Sequence, residues 1–174
     1  MGREVERKFL IRENGIDYAT EQFFRLYKSI DLLERDVLLS GVSVRQGYLP
    51  DAETLSRTPG FESDFKPAEA RLREKGKNFY FTLKSEGGVE RQEFEREIDL
   101  SMFSRYWPAT LGSRVEKVRL ETKVQGGVLL YDVYQDRDLI VAEIEASREI
   151  ADSFGALGLD VSEMPKYKNR ALAR

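Results

Sequence analysis

Apolar and polar residues alternate along most of this chain, and that alternation predicts β-strands. It begins in "REVERKFLI" and is clear again in five later segments. Because successive side chains of a strand point to opposite faces, each such segment has one apolar face and one charged face. The segments with this pattern are "ARLRE", "FYFTLKS", "RQEFEREI", "VEKVRLE" and "VAEIEA", joined by "VSVRQGYL" and "LLYDVY" as further predicted strands.

Helical spacing is confined to a few segments. Residues 17–38 predict one or two amphipathic helices, 101–106 a short helix, and 147–157 another, with a short terminal helix in "KYKNRALAR". Ser101 is expected near the N-cap of the second helix, and Pro108 is expected to stop it. The helical spacing in the first segment rests on Phe23, Leu26, Tyr27, Ile30, Leu33 and Val37.

About eight strands with few helices predict an α+β fold that is mainly antiparallel β. The expected architecture is an eight-stranded closed or nearly closed barrel with helices packed outside. We expect a single domain over residues 1–174. Residues 50–69 carry three of the five prolines and little periodicity, so they predict a mobile hairpin connection or insertion. Such a segment could act as a lid over one mouth of the barrel.

The charged strand faces allow two arrangements. In a half-exposed sheet they lie in water, whereas in a barrel with apolar faces under helices they line the interior. Doublets of like charge favour the second arrangement, because they repel unless a counter-ion lies between them. The acidic doublets are Glu4/Glu6, Glu93/Glu95 and Glu143/Glu145, and the basic doublets are Arg71/Arg73 and Lys117/Arg119.

Composition narrows the chemistry. The chain has no cysteine and no histidine, which excludes thiolate and imidazole metal sites, disulfides and Ser-His or Cys nucleophile schemes. A net charge of −3 argues against duplex nucleic acid and anionic membranes as partners. The chain shows neither a membrane-spanning run nor a secretory segment, so a cytoplasmic location is expected.

Carboxylates and cations on one set of faces suit a metal–polyphosphate complex. Carboxylate oxygens bind hard divalent ions, and lysine and arginine bind phosphate. Phosphoryl transfer needs mainly positioning and charge neutralisation. The chain has no Walker A motif, and the "EGGVE" turn is too short and acidic to cradle phosphate, so the basic strands must bind it.

In this context "EVERK" resembles the ExExK signature of the CYTH domain, the fold of the triphosphate tunnel metalloenzymes. The resemblance continues in order through "QGYL", "RLR", "FTLK", "EFE", "VEKVR", "YDVY", "AEIE" and "KYKN", leaving only residues 17–38 and 50–69 off the pattern. It implies an eight-stranded tunnel with a charged interior, Mg²⁺ or Mn²⁺ as cofactor, and a triphosphate-containing small molecule as substrate.

The resemblance also implies residue roles. Glu4, Glu6 and Lys8 would be catalytic, and a lowered pKa would let Lys8 take part in proton transfer. Glu93 and Glu95 would be second-metal ligands or partners of basic residues. The metal ligands would be Glu4, Glu6, Asp132, Glu143 and Glu145, and the substrate-binding residues Lys8, Arg71, Arg73, Lys84, Lys117, Arg119 and Lys166.

The reaction expected first is hydrolysis of the terminal phosphoryl group of tripolyphosphate or a related triphosphate. The alternatives are a thiamine triphosphatase, an adenylate cyclase, an RNA 5′-triphosphatase and a non-catalytic polyphosphate-binding module. Thiamine would need an aromatic platform, and Trp107 is the only tryptophan. Retention of the carboxylates favours catalysis over sensing, and a homodimer stays open.

Overall fold

The computed structural model describes residues 4–87 and 91–174. Arg3 of the first predicted strand, the end of the "EGGVE" turn and the side chain of Glu4 lie outside the described part. In chain order the elements are β1 (Glu4–Glu13), β2 (Ile16–Asp17), α1 (Glu21–Leu26), α2 (Ile30–Ser40), β3 (Val42–Leu49), α3 (Ala52–Leu55), β4 (Pro67–Lys75), β5 (Asn78–Ser85), β6 (Glu93–Ile98), α4 (Leu100–Tyr106), β7 (Arg114–Val124), β8 (Gly127–Tyr134), β9 (Leu139–Ser147), α5 (Arg148–Phe154), β10 (Leu159–Asp160) and α6 (Asn169–Leu172). Short 3₁₀ helices cover Trp107–Thr110 and Pro165–Tyr167.

The α+β class with a mainly antiparallel sheet is confirmed. Eight strands have six residues or more, and β2 and β10 have two residues each, within the described part of the chain. Every strand pairing described below is antiparallel, as short hairpin connections require. Closure of the strands into a tunnel stays a prediction. No helix in the described ranges is long and apolar enough to cross a membrane.

The chain divides into two compact units. Unit 1 comprises Met1–Val42 and Lys117–Met164, and unit 2 comprises Ser43–Glu116 and Pro165–Arg174. In unit 1 the strand order is β10-β1-β9-β8-β7, with β2 paired to β1. In unit 2 the order is β3-β4-β5-β6.

Helices cover the apolar strand face of unit 1. Phe23 of α1 packs edge-to-face on Tyr131 of β8, with ring centroids 6.3 Å apart. Helix α2 begins at Ser29, whose hydroxyl accepts a hydrogen bond from Leu32 N at 3.1 Å. It ends at Gly41, where a Cβ would lie 2.4 Å from Val37 O. The prediction of one or two helices over residues 17–38 is confirmed as two, with α2 continuing to Ser40.

Unit 2 buries its apolar face in the same way. Phe103 of α4 packs against Phe79 of β5, with ring centroids 4.8 Å apart. The side chain that caps α4 is Asp99, which accepts from Met102 N at 2.7 Å, and Ser101 lies near this cap in the first turn. The α-helix ends at Tyr106, before Pro108 as predicted, and Pro108 lies in the first turn of the 3₁₀ helix that follows, where its missing N–H costs nothing.

The segment predicted as an insertion, residues 50–69, contains α3 and contacts other parts of unit 2 at two points. Phe61 is 1% exposed and stacks on Phe81 of β5 at 3.9 Å. The carbonyl of Gly60 accepts a hydrogen bond from Arg96 of β6 at 2.8 Å. These contacts tie the segment to the core of unit 2, whereas its mobility and its role as a lid stay predictions.

Candidate active site

Many charged side chains of the strand faces are buried. Lys117 is 1% exposed and Asp132 is 0% exposed, and a solvated sheet face would leave such side chains in water. The open, half-exposed sheet is therefore the wrong arrangement for these residues. The other predicted site residues that are buried are Lys8, Arg71, Lys84, Arg119 and Glu143.

Strand register brings the charges of unit 1 together. Lys8 of β1 lies directly opposite Glu143 of β9, and Arg119 of β7 lies directly opposite Asp132 of β8. Residues directly opposite one another in an antiparallel pair share a face, so all four side chains project to the same side. The period-two pattern of the sequence is what places them there.

Asp132 is the centre of this cluster. Lys117 Nζ lies 2.5 Å from Asp132 Oδ2, and Arg119 Nε donates to Asp132 Oδ1 at 2.6 Å. Arg119 also donates to Glu143 Oε2 at 2.9 Å, and Lys8 Nζ lies 2.8 Å from Glu143 Oε1. The result is a continuous chain of buried ion pairs from β7 to β1, in which each cation is held by a carboxylate.

The two lysines of the cluster differ in pKa. Burial alone would lower the pKa of Lys8, but the carboxylates of Glu143 and Glu6 outweigh it and raise the pKa above 10.5. Burial and the Arg119 guanidinium lower the pKa of Lys117 to about 8, although Asp132 acts in the other direction. The expected lowering at Lys8 is therefore wrong, and Lys117 is the lysine with the lowered pKa.

The acidic groups of the cluster stay ionised. Burial alone would raise the pKa of Glu143, but Lys8 and Arg119 outweigh it and hold the pKa well below 4.5. Burial acts in the same way on Asp132, and Arg119 and Lys117 hold its pKa below 3.8. The cluster is therefore a set of full charges at neutral pH.

Oxygen ligands for a metal are present in unit 1, but they are not gathered around one point. Among the described residues, no group of three or more acidic side chains is placed to hold an ion. Glu6 and Glu145 lie directly opposite each other across β1 and β9, a carboxylate pair of the kind that hard cations bind. Glu143 Oε1 is buried and has its 2.8 Å ion pair with Lys8, but it accepts no well-aligned hydrogen bond from the described residues. The chemistry of these oxygen donors suits a divalent cation, although the described side chains do not converge on one point.

Unit 2 carries a second cluster on β4, β5 and β6. Lys84 Nζ lies 2.7 Å from Glu93 Oε2, and Arg73 Nη2 donates to Glu95 Oε1 at 2.7 Å. The hydroxyl of Thr82 donates to Glu95 Oε2 at 2.8 Å. This cluster therefore contains three of the basic residues expected to bind substrate, Arg71, Arg73 and Lys84.

Arg71 has hydrogen-bonding capacity to spare. Its Nε is buried and has no hydrogen-bond partner among the described residues. Its Nη2 lies 3.8 Å from Glu95 Oε2 and 4.0 Å from Glu93 Oε1, too far for hydrogen bonds. A buried guanidinium with an unused donor suits an anionic ligand such as phosphate.

Sequence reasoning missed two polar residues of this cluster. Gln46 and Tyr48 lie on β3, opposite Arg73 and Arg71, and Gln46 Nε2 donates to Tyr48 Oη at 2.8 Å. Burial raises the pKa of Tyr48 above 10.0 although Arg71 opposes it, so its phenol stays protonated. The available signal was a glutamine and a tyrosine at alternate positions in the quoted motif "QGYL".

Two other residues considered from the sequence, Lys166 and Trp107, lie beside aromatic rings. Lys166 lies in the 3₁₀ helix Pro165–Tyr167, with its Nζ 4.4 Å from the centroid of the Tyr167 ring. Trp107 stacks on Phe103 at 4.9 Å and has the Arg114 guanidinium 4.4 Å from its ring centroid. A role of Lys166 in phosphate binding stays a prediction.

A short segment of unit 1 fixes the backbone of β1 at Lys8. Lys8 N donates to Ser162 Oγ at 2.9 Å, and Ser162 Oγ donates to Asp160 Oδ1 at 2.6 Å. Arg7 Nη2 donates to Asp160 Oδ2 at 2.5 Å. We call Asp160 and Ser162 the β1 latch, because their side chains hold the strand that carries Glu6 and Lys8.

The fold is mainly antiparallel, and its strands carry buried lysines, arginines and carboxylates. These features agree with the class of protein that the CYTH resemblance implies. The chain is 41% identical over 177 positions to the inorganic triphosphatase of Nitrosomonas europaea, covering 98% of this chain and 96% of that protein. No family profile matches the chain.

Solved structures agree. The crystal structure of an inorganic triphosphatase matches with a TM-score of 0.56 and 33% identity, over 99% of this chain and 95% of that chain. A Bacillus halodurans protein provisionally described as an adenylate cyclase matches with a TM-score of 0.51 and 19% identity, over 91% of this chain and 94% of that chain. At that identity the second likeness shows the fold alone. The chain belongs to the CYTH family, and the family prediction is confirmed.

Proposed function

We propose that this protein is a metal-dependent hydrolase that cleaves the terminal phosphoryl group of tripolyphosphate or a related triphosphate. The observation that carries the proposal is the burial of lysine and arginine groups on strand faces that also carry carboxylates. The 41% identity to an inorganic triphosphatase supports the enzyme class and the substrate class.

The basic residues bind phosphate and neutralise its charge. Arginine does so through two parallel hydrogen bonds and lysine as a point charge. In unit 1 these groups are Lys8, Lys117 and Arg119, each held in place by Asp132 or Glu143. Arg71, Arg73, Lys84 and Lys166 keep the phosphate-binding role that the resemblance implies.

The reaction consumes one water molecule. The water oxygen bonds to the terminal phosphorus, the bond from that phosphorus to the bridging oxygen breaks, and tripolyphosphate yields orthophosphate and pyrophosphate. Charge on the phosphoryl oxygens is what the protein must stabilise. The raised pKa of Lys8, due to Glu143 and Glu6 acting against burial, keeps this group protonated, so it neutralises charge and does not accept the proton of water.

Carboxylates of unit 1 would hold the divalent cation. Glu6, Glu143 and Glu145 would supply oxygen ligands, and the resemblance adds Glu4. Asp132 would contribute only by giving up part of its pairing with Lys117 and Arg119. Mg²⁺ and Mn²⁺ suit such ligands, and either would supply positive charge against the phosphate oxygens when bound.

The only tryptophan is not placed as a thiamine platform. Phe103 stacks on the Trp107 ring, and the guanidinium groups of Arg114 and Arg45 lie 4.4 Å and 5.1 Å from its centroid. This arrangement favours an inorganic triphosphate over thiamine triphosphate as substrate. Adenylate cyclase and polyphosphate-binding activities are outcomes of the test below. A cytoplasmic location, the absence of nucleic-acid and membrane partners, and a homodimer stay predictions from sequence.

The test measures orthophosphate and pyrophosphate release from tripolyphosphate, ATP and thiamine triphosphate, with Mg²⁺ or Mn²⁺, for the wild type and Glu6→Gln. We expect release from tripolyphosphate to fall at least about 100-fold in Glu6→Gln. The substitution removes a carboxylate ligand of the divalent cation, and that cation would neutralise charge on the substrate. Glu116→Gln, which changes an exposed carboxylate on the opposite face of β7, is the matched control and should keep full activity.

Other outcomes would contradict the proposal. Cyclic AMP and pyrophosphate formed from ATP would identify a cyclase. Tight tripolyphosphate binding without release of phosphate would identify a binding module. Equal losses in Glu6→Gln and Glu116→Gln would remove Glu6 from the site.

A further inference from the structure

Two carboxylates of β6 pair with the cations expected to bind phosphate in unit 2. Glu93 pairs with Lys84 at 2.7 Å, and Glu95 pairs with Arg73 at 2.7 Å and approaches Arg71 at 3.8 Å. A carboxylate and a phosphate oxygen present the same charge to these donors. Glu93 and Glu95 therefore occupy positions on the cations that a phosphate would take.

Strand register fixes this arrangement. Thr82 of β5 is directly opposite both Arg71 of β4 and Glu95 of β6. Lys84 is directly opposite Glu93. All these side chains share one face of the unit 2 sheet, and β6 is the last strand in its order, so the carboxylates lie beside the cations at its edge.

Exposure distinguishes the carboxylates from the cations that they cover. The side chains of Lys84 and Arg71 are each 6% exposed, whereas those of Glu93 and Glu95 are 39% and 31% exposed. Solvent therefore reaches the carboxylates more readily than the cations. A soluble anion that reaches the cations competes with the carboxylates directly.

We propose that Glu93 and Glu95 act as internal competitors of phosphate: the substrate displaces them from Lys84, Arg71 and Arg73, and they displace the products when hydrolysis is complete. The inference rests on the proposed function, because it assigns a role within the same reaction. The competition lowers the affinity for every phosphate ligand, so weakly bound products leave, while a triphosphate with more charge still binds.

The ion pairs made by Glu93 and Glu95 are weak enough for a phosphate ligand to replace them. An ion pair with one partly exposed partner is weaker than a fully buried pair, so a multivalent anion can exchange with it. Displaced Glu93 and Glu95 can turn toward water, where their charges are solvated. Arg71 Nε, buried and without a hydrogen-bond partner among the described residues, is a donor that a phosphate can use and the carboxylates do not.

The experiment measures binding of pyrophosphate and tripolyphosphate to the full chain by calorimetry, without divalent cation. We expect Glu95→Gln to lower the Kd of pyrophosphate roughly tenfold, and to lower the Ki of pyrophosphate in the hydrolysis assay by a similar factor. Glu93→Gln should act in the same direction through Lys84.

Glu97→Gln is the matched control. Glu97 lies on the same strand and face as Glu93 and Glu95 and is exposed. It forms no ion pair with the described residues. Its substitution removes the same charge, so a general change in the protein's field would affect all three variants equally. We expect its Kd for pyrophosphate to stay within about twofold of the wild type.

Two results would overturn the inference. One is an unchanged or weaker affinity for pyrophosphate in both Glu93→Gln and Glu95→Gln, with thermal unfolding like that of the wild type. The other is a rise in the Mn²⁺ concentration required for half-maximal activity, which would make these residues metal ligands. If the wild type hydrolyses no triphosphate, the proposed function fails, but the metal-free affinities still test the competition.

Discussion

Lys84 shows how one buried residue can report on ligand binding. Burial and the neighbouring Arg71 guanidinium lower its pKa below 10.5, while Glu93 acts in the opposite direction. In the free protein the charged form of Lys84 is therefore less favourable than it would be in water. A bound phosphate would favour the charged form and raise the pKa again.

This coupling makes phosphate binding depend on pH. Where Lys84 is partly deprotonated, between its lowered pKa and 10.5, binding of tripolyphosphate should take up protons. We expect calorimetry at about pH 9.5, in buffers of different ionisation enthalpy, to show a larger proton uptake in the wild type than in Lys84→Met.

The control for that measurement is a series at lower pH. The difference in proton uptake between wild type and Lys84→Met should become smaller as the pH falls below the lowered pKa of Lys84, because the group is then protonated before phosphate binds. An identical uptake in both proteins at the higher pH would show that a bound phosphate does not act on Lys84.

At the scale of elements, the β1 latch joins the two-residue strand β10 and the residues after it to the strand that carries Glu6 and Lys8. Asp160 and Ser162 contact β1 through the Lys8 amide and the Arg7 guanidinium. Burial alone would raise the pKa of Asp160, but the hydrogen bonds from Ser162 and Arg7 outweigh it and hold the pKa below 3.8. The ionised form is therefore the one that stabilises the fold.

Asp160→Asn should lower the free energy of unfolding by about 1 kcal/mol at pH 7, a value reduced from that of a buried charged hydrogen bond because Asp160 is partly exposed. Since the pKa is lower in the folded state than in the unfolded state, this stabilisation is present above about pH 4 and is lost as the pH falls through the folded-state value. Urea unfolding of both proteins at pH 7 and near pH 3 measures it. A difference that is as large in acid as at pH 7 would contradict the assignment.

The alternation of apolar and charged residues was sufficient to predict which side chains share a strand face. Glu6, Lys8, Glu143 and Asp132 lie where a period of two places them, because register and pleat leave only two faces. The β1 latch could not be predicted, since it depends on contacts between residues about 150 positions apart that no local pattern encodes. The cap at Asp99 was missed for a local reason: both Asp99 and Ser101 can cap a helix, and only the backbone decides.

At the scale of the whole molecule, the carboxylates of each cluster are paired with the protein's own lysine and arginine side chains. In unit 1 Asp132 and Glu143 compensate Lys117, Arg119 and Lys8, and in unit 2 Glu93 and Glu95 compensate Lys84 and Arg73. A buried ion pair that loses one partner destabilises a protein strongly, and each carboxylate named here has a lysine or arginine partner. We therefore expect that the fold does not depend on a bound metal to compensate the charge of these carboxylates.

Metal removal should accordingly separate activity from stability. We expect excess EDTA to abolish phosphate release from tripolyphosphate while changing the melting temperature by no more than about 2 °C, because no folding energy is drawn from the cation. Tripolyphosphate added with EDTA should instead raise the melting temperature as its concentration increases, since it binds the folded state alone. Differential scanning calorimetry with and without each additive makes the comparison. A large fall in melting temperature with EDTA would mean that the carboxylates of unit 1 need a cation to remain together, and that their pairing with lysine and arginine is not sufficient.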